Sequence, residues 1–204
     1  MSRAPATGQV RIIGGRWRGS KLPVADRPGL RPTSDRVRET VFNWLQAHTP
    51  GARVLDLFAG TGALGLEAAS RGADRVVLVE RDPALAEGLR AAAARLEGPG
   101  GRIEVVCDDA LRWLARVPDA RFDLVFLDPP FAAGIWPSVL AGLPPWLADG
   151  AWLYLEAPRD AAPVAGPGWM PHREGATREV RYALYRRAAA TLPPESAEQD
   201  PARA

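Results

Sequence analysis

Cysteine, lysine and histidine are nearly missing from this 204-residue chain: Cys107 is the single cysteine, Lys21 the single lysine, and His48 and His172 are the two histidines. A lone cysteine forbids an intramolecular disulfide and a cysteine-based zinc site, which fits a reducing compartment. Two histidines far apart in sequence, with no third ligand in pattern, argue against a metal site or a catalytic triad. Cys107 ends an apolar stretch and is expected to be a small buried residue. Long hydrophobic runs are missing too. No stretch approaches the roughly 18 apolar residues of a membrane span, and the opening MSRAPATGQVRIIGG has no apolar segment of the signal-peptide kind. The expectation is a cytoplasmic protein.

What remains is the composition of an ordinary globular chain, 47% hydrophobic and 25% charged, which excludes collagen, a coiled coil and a wholly disordered polymer. Its length suits one domain with a small appendage. The formal net charge of +2 hides an asymmetry: residues 1–53 hold ten Lys/Arg against three Asp/Glu, leaving 16 against 21 for the rest. A +7 arm therefore precedes a −5 body. Arginine suits bidentate phosphate contact and base stacking, although a chain this rich in Ala, Gly, Pro and Arg can owe its arginine to base composition.

Residues 1–9 and 188–204 lack periodicity and are expected to be disordered ends outside the fold. Segment 10–50 reads as a basic hairpin and helix: 10–13 and 17–22 flank Gly14-Gly15, a pair suited to a tight turn. Thr33 or Ser34 then caps the helix DRVRETVFNWLQAH, whose apolar stripe is Val37, Val41, Trp44, Leu45 and His48. Arg36, Glu39, Thr40 and Asn43 face the other way, free for ligand or solvent. From 51 to 187, strand-length apolar runs alternate with helical patterns, which predicts a parallel sheet with crossover helices. Strands are expected at 53–57, 75–80, 103–106, 122–127 and 151–156, with helices at 63–71, 83–96 and 110–117. A late antiparallel pair is expected near 171–175 and 179–186. Trp113, Trp136 and Trp152 read as packing residues, with Trp136, close after the fourth strand, the one to watch as a base platform.

Gly60-Thr61-Gly62-Ala63-Leu64-Gly65 follows the first of these strands, opens a helix and is followed by an acid, Glu80, twenty residues after Gly60. On that pattern alone it is a dinucleotide fingerprint, so a nicotinamide-dependent oxidoreductase is a serious rival. Asp56 separates the alternatives. An acid at the strand end repels a pyrophosphate and attracts a cation such as the amino group of a methionine moiety. S-adenosylmethionine has that amino group, a sulfonium and a ribose, and no phosphate. Glu80 would accept from the ribose hydroxyls, and Asp109 would meet the adenine amine, with Asp108 its competitor and helix capping the alternative role for Asp109.

Asp128-Pro129-Pro130-Phe131 ends the fourth strand of the alternating region, at the sheet edge where open α/β folds bind ligands. Two prolines remove two N–H donors and leave carbonyl oxygens beside a carboxylate. Such an all-acceptor site suits an exocyclic nucleobase amine. Asp128 and the Pro129 carbonyl can hold its hydrogens and turn the nitrogen lone pair toward a methyl group, while Phe131 stacks on a flipped or single-stranded base. A sulfonium already activates the methyl, so no metal is called for. The departing proton can pass to Asp128 or to water.

These motifs resemble those of the class I S-adenosylmethionine-dependent methyltransferases. Together with RIIGGRWRGSKLPV, LRPTSDRVRETVFNWL and HREG...VRYALYRR they look like the bacterial 16S ribosomal RNA guanine-N2 methyltransferase family usually called RsmD, over about residues 10–187. The resemblance implies a Rossmann-like α/β fold: a mostly parallel seven-stranded sheet with helices on both faces, plus the small basic N-terminal hairpin and helix. It implies S-adenosylmethionine as cofactor, held by Asp56, Phe58, Gly60, Thr61, Gly62, Glu80, Arg81, Asp109 and Ala110, with Arg36 and Thr40 from the N-terminal helix. Asp128, Pro129, Pro130 and Phe131 become the amine site and Thr33 lies on the cofactor or target side. Arg11, Arg16, Trp17, Arg18, Lys21 and Arg31 become the RNA contacts. The implied partner is 16S ribosomal RNA, within the small subunit or an assembly intermediate, and the implied state is a monomer with no membrane contact. Adenine-N6 enzymes share the Asp-Pro-Pro-Phe pattern, and a non-catalytic RNA-binding assembly factor is the alternative from another class.

Overall fold

The computed structural model describes residues 8–23, 33–97, 102–129, 134–161 and 165–188. A two-stranded antiparallel ribbon comes first, β1 (Gln9–Arg11) and β2 (Lys21–Pro23), with Val10 opposite Leu22 and Arg11 opposite Lys21. Helix α1 (Asp35–Trp44) follows; Ser34 caps it by accepting from the Val37 N–H at 3.3 Å. Then strands and helices alternate: β3 (Arg53–Asp56), α2 (Ala63–Ser70), β4 (Arg75–Glu80), α3 (Pro83–Glu97), β5 (Ile103–Cys107), α4 (Ala110–Leu114), β6 (Phe122–Leu127), α5 (Trp136–Gly142) and β7 (Leu147–Pro158). The hairpin β8 (Trp169–Ala176) and β9 (Val180–Arg187) closes the chain.

The seven-stranded sheet has the order β5-β4-β3-β6-β7-β9-β8. β3 through β7 run parallel, and β9 is antiparallel to both β7 and β8. The chain winds outward from β3 to β5, then returns to lay β6 on the other side of β3. That reversal creates a crevice beyond the carboxyl ends of β3 and β6, where open α/β sheets bind ligands. The fold is the Rossmann-like architecture expected from the sequence.

Each face of the sheet has its own core. One holds Val37, Val41 and Phe42 of α1, Leu64 and Leu66 of α2 and Leu89 of α3 against Val54, Leu124, Phe126 and Tyr154. Val10, Ile12 and Leu22 of the ribbon are buried in this same core. The other face packs Trp113, Leu114, Val139 and Trp146 on Leu55, Val77, Val125 and Leu153.

Several local expectations need correction. Gly14-Gly15 does not make a tight hairpin turn; residues 12–20 form a longer loop laid along the end of α2. The glycines serve close approach, since a Cβ on Gly15, at φ +74°, would sit 1.9 Å from the Ser70 carbonyl oxygen. The loop is pinned there by Arg16 N–H to Ser70 O (2.8 Å) and Trp17 N–H to Ser70 Oγ (3.0 Å). Helix α1 stops at Trp44, so His48 is exposed in the following turn, its ring 4.5 Å from that of Trp152. Helix α4 stops at Leu114 and leaves Val117 exposed. Cys107 is exposed rather than buried, because β5 is a sheet-edge strand.

Candidate functional site

The carboxyl ends of four adjacent strands, β4, β3, β6 and β7, each deliver a carboxyl side chain: Glu80, Asp56, Asp128 and Glu156. Strand register makes this row. Asp56 pairs with Phe126 of β6, and Leu127 pairs with Leu155, so Asp128 follows beside Glu156. Asp56, Glu80 and Glu156 are buried, and Asp128 is partly exposed.

The glycine turn is built around the first two acids. The Gly60 N–H donates to Glu80 Oε2 and the Asp82 N–H to Glu80 Oε1, both at 2.8 Å. The Gly65 N–H donates to Asp56 Oδ2 at 3.1 Å. Gly62, at φ +76°, closes the turn with its N–H on the Ala59 carbonyl. Two N–H groups of this turn, those of Gly60 and Gly65, are thus already engaged by carboxylates, which fits a cationic ligand and disfavours a dinucleotide. Burial raises the Asp56 pKa to about 7; the Gly65 and Phe58 N–H groups oppose the rise and the nearby Glu80 adds to it. Phe58 is half-buried against the second core, Thr61 is half-buried and Arg81 is exposed.

Beyond β5, Ala110 is buried, and both acids expected near an adenine have structural partners. Asp109 caps α4, its Oδ1 accepting from the N–H groups of Leu111 (3.0 Å) and Arg112 (3.2 Å). Asp108 accepts from the Asp109 N–H and pairs with Arg112 (3.0 Å) and Arg116.

At the second constellation Pro129 is buried, whereas Pro130 and Phe131 lie outside the described residues, as does Arg31. Two groups stand beside Asp128, and of these sequence reasoning missed Glu156. Glu156 accepts a 2.8 Å hydrogen bond from the Tyr154 hydroxyl, and Thr33, noted only by resemblance, reaches Asp128 Oδ2 at 3.4 Å. Burial drives the Asp128 pKa well above the ordinary carboxylate range, and the charges of Glu156 and Asp56 push it further. Burial also raises Glu156, against the hydrogen bond from the Tyr154 hydroxyl. The only signal for Glu156 in the sequence was an acid ending an apolar strand.

The N-terminal residues divide. Arg36 and Thr40 lie on the outer side of α1, Thr40 donating to the Arg36 carbonyl at 3.0 Å. Arg11 pairs with Asp35 (2.9 Å) and Arg16 with Glu97 (3.2 Å), and Arg16 also lies over the Trp17 ring. Arg18 and Lys21 are exposed; Trp17 is half-buried against the core. Among the described residues, no helix is long and apolar enough to cross a membrane.

Comparison with known proteins gives consistent findings. The family described as Conserved hypothetical protein 95 matches residues 10–186. The chain is 46% identical to the ribosomal RNA small subunit methyltransferase D of Escherichia coli strain K12, over 90% of this chain and 92% of that protein. Its counterpart in Haemophilus influenzae is 40% identical, over 88% of this chain and 95% of that one. Among solved structures, the Escherichia coli protein yhhF superposes with a TM-score of 0.80 at 46% identity, covering 89% of this chain and 99% of that one.

Proposed function

The chain belongs to the Conserved hypothetical protein 95 family, the RsmD methyltransferases, and on that premise we propose that it moves a methyl group from S-adenosylmethionine to the exocyclic N2 amine of a guanine in 16S ribosomal RNA. One observation carries the reading: the row of carboxyls puts acids suited to a cationic cofactor, Asp56 and Glu80, beside an acid suited to a donor amine, Asp128, with the sheet's switch point between them.

The cofactor supplies a methyl group already activated by its sulfonium. Asp56 and Glu80 hold its cationic and hydroxyl-bearing parts, and the glycine turn lets the backbone come close. Phe58, Thr61, Arg81, Asp109 and Ala110 line the same side, and Arg36 and Thr40 face it from α1. Asp128 and the Pro129 carbonyl accept the two amine hydrogens, which localises the nitrogen lone pair and aims it at the methyl group. In the same reading Pro130 supplies no N–H donor and Phe131 stacks on the base. Positioning and preorganised electrostatics do most of the work. Arg11, Arg16, Trp17, Arg18, Lys21 and Arg31 form the RNA-facing arm, which grips phosphates without reading sequence.

Methyl incorporation from labelled cofactor into small subunits purified from cells lacking the enzyme tests this reading. Label should appear in 16S RNA in preference to naked DNA. Preference for DNA, or binding of NAD without binding of S-adenosylhomocysteine, would contradict it.

A further inference from the structure

We propose that the face of the β8–β9 hairpin carrying His172, Arg173 and Arg186, completed by His48, is a second contact for the RNA phosphate backbone, on the opposite side of Asp128 from the N-terminal ribbon.

Charge is sorted across this hairpin. Residues 169–187 hold five arginines against two glutamates, a net +3 inside a body whose total is negative. Side chains directly opposite one another in an antiparallel pair share a face of the sheet. Arg186 stands opposite Trp152, and Arg173 opposite Leu184, itself opposite Tyr154, so both arginines lie on the α1 side. Glu174, opposite Ala183, lies on the other side and pairs there with Arg181 at 3.7 Å. Among the described residues, neither Arg173 nor Arg186 makes an ion pair.

Three of these groups meet on one ring. Trp152 is buried, with the His48 ring centred 4.5 Å away, the His172 ring edge-on at 4.8 Å and the Arg186 guanidinium over it at 5.6 Å. His48 and His172 are both histidines of the chain, and they are exposed, as are Arg173 and Arg186. The buried indole cannot stack on a base; it fixes the spacing of exposed donors around it. Guanidinium and imidazole N–H groups are the donors that phosphate oxygens accept from. Burial, then the charges of Arg186 and His172, hold the His48 pKa below its ordinary value. A phosphate oxygen would relieve that crowding of positive groups.

The choice of RNA as occupant rests on the methyl-transfer reading above and on where the patch lies. The ribbon is tied to α3 by Arg95 donating to the Lys21 carbonyl (2.7 Å) and by the Arg16–Glu97 pair (3.2 Å), and α3 packs on β4 and β5. The hairpin stands at the other end of the sheet, beyond β7, and Asp128 follows β6 between the two. Crossing from β4 to β9 takes four strand steps, about 19 Å at the usual strand spacing. Along β7, four residues separate Trp152 from Glu156, which is level with Asp128, or about 13 Å at the strand rise. A backbone held at both flanks spans several nucleotides and is fixed on either side of the base that turns into the site.

Affinity of the full chain for small subunits from cells lacking the enzyme, measured as a function of salt, tests the contact. Changing Arg173→Glu and Arg186→Gln together should weaken binding and flatten the slope of log affinity against log salt by roughly 1.4–1.8, two phosphates at about 0.7–0.9 each. Affinity for S-adenosylhomocysteine and the unfolding midpoint should hold, which separates a lost contact from a lost fold. Arg173→Glu alone, at an exposed position on an edge strand, should remove half of that slope even if Arg186→Gln loosens Trp152; Arg186→Lys should keep it. Ultraviolet crosslinking of the parent complex, followed by peptide mapping, should place RNA on residues 165–188 as well as on 8–23. A parent-like salt slope in the double variant, crosslinks confined to the ribbon, or crosslinks from the hairpin to a ribosomal protein in place of RNA would overturn the inference. If the parent chain binds small subunits but methylates nothing, the functional reading fails, and the slope and crosslinks still decide the hairpin contact.

Discussion

Arg38 and Glu67 face each other with no exposed side-chain surface, Arg38 Nη1 lying 3.5 Å from Glu67 Oε2 between α1 and α2. Each also gathers backbone from the N-terminal arm. Arg38 donates to the carbonyls of Arg11 (2.9 Å) and Thr33 (3.2 Å) and to Asp35 Oδ1 (2.6 Å). Glu67 accepts from the N–H groups of Ile13 (2.7 Å) and Gly14 (2.8 Å) and from Arg71 (2.7 Å). The pair therefore fastens the ribbon and the segment bearing Thr33 to the sheet domain.

Removing one partner of a buried ion pair strands the other charge, an effect of about 3–5 kcal/mol. Arg38→Met should reduce stability by that order in denaturant unfolding. The Arg38→Met, Glu67→Leu double variant should not recover it, because the Ile13 and Gly14 N–H groups lose their acceptor. A stable Arg38→Met chain would show that the arm is held by other contacts.

Asp56 makes the chain sensitive to pH. Its pKa stands at about 7, against an ordinary value of 3.8. Between those values the folded chain keeps a proton that the unfolded chain has released, so this group's contribution to stability falls as pH rises through that window. A bound ammonium favours the ionised form. Cofactor binding should therefore release a proton below about pH 7, and affinity should rise with pH and then level off. Calorimetry at pH 6 in buffers of different ionisation heat measures the proton, and Asp56→Asn should abolish it.

Gly65 lets α2 pack tightly on the sheet. A Cβ there would meet Leu78 Cδ2 at 2.2 Å and Asp56 Oδ2 at 3.2 Å, and Leu78 is fully buried and cannot swing aside. Gly65→Ala should reduce stability by about 1–3 kcal/mol, the usual range for overpacking. An unchanged unfolding midpoint would mean that the helix shifts freely.

The alternating strands, the glycine turn and the Asp128 motif were legible because short-range patterns determine them: apolar runs, a turn that only glycine tolerates, a proline pair. The Arg38–Glu67 pair was not, since an arginine inside DRVRETVF looks like a surface residue until the fold brings Glu67, 29 positions further on, against it. Glu156 was missed for a related reason. Its meaning depends on the β6–β7 register that sets it beside Asp128, and register across a crossover leaves no local signature. Gly14-Gly15 was misread because close approach to another helix and a tight turn ask for the same residue.

The exposed arm predicts a salt-dependent grip. The Arg11–Asp35 pair is exposed on both sides and worth about 0–1 kcal/mol, and the Arg16 guanidinium is exposed although its partner Glu97 is not, so phosphates can compete for both arginines. Changing Arg16, Arg18 and Lys21 to Ala should weaken RNA binding and flatten its dependence on log salt by roughly 0.7–0.9 per lost phosphate contact. Cofactor affinity should be unchanged; a parallel loss of both would place the arm's role in folding.

The proposed methylation of a guanine amine through Asp128 is open to direct test. Mass mapping of methylated nucleosides in 16S RNA, after small subunits from cells lacking the enzyme are incubated with cofactor and either the parent chain or Asp128→Asn, tests it most directly. N2-methylguanosine is expected at a single position with the parent chain, and a loss of about a hundredfold or more with Asp128→Asn while S-adenosylhomocysteine still binds. Methyl groups on adenine, or undiminished guanine methylation by Asp128→Asn, would contradict it.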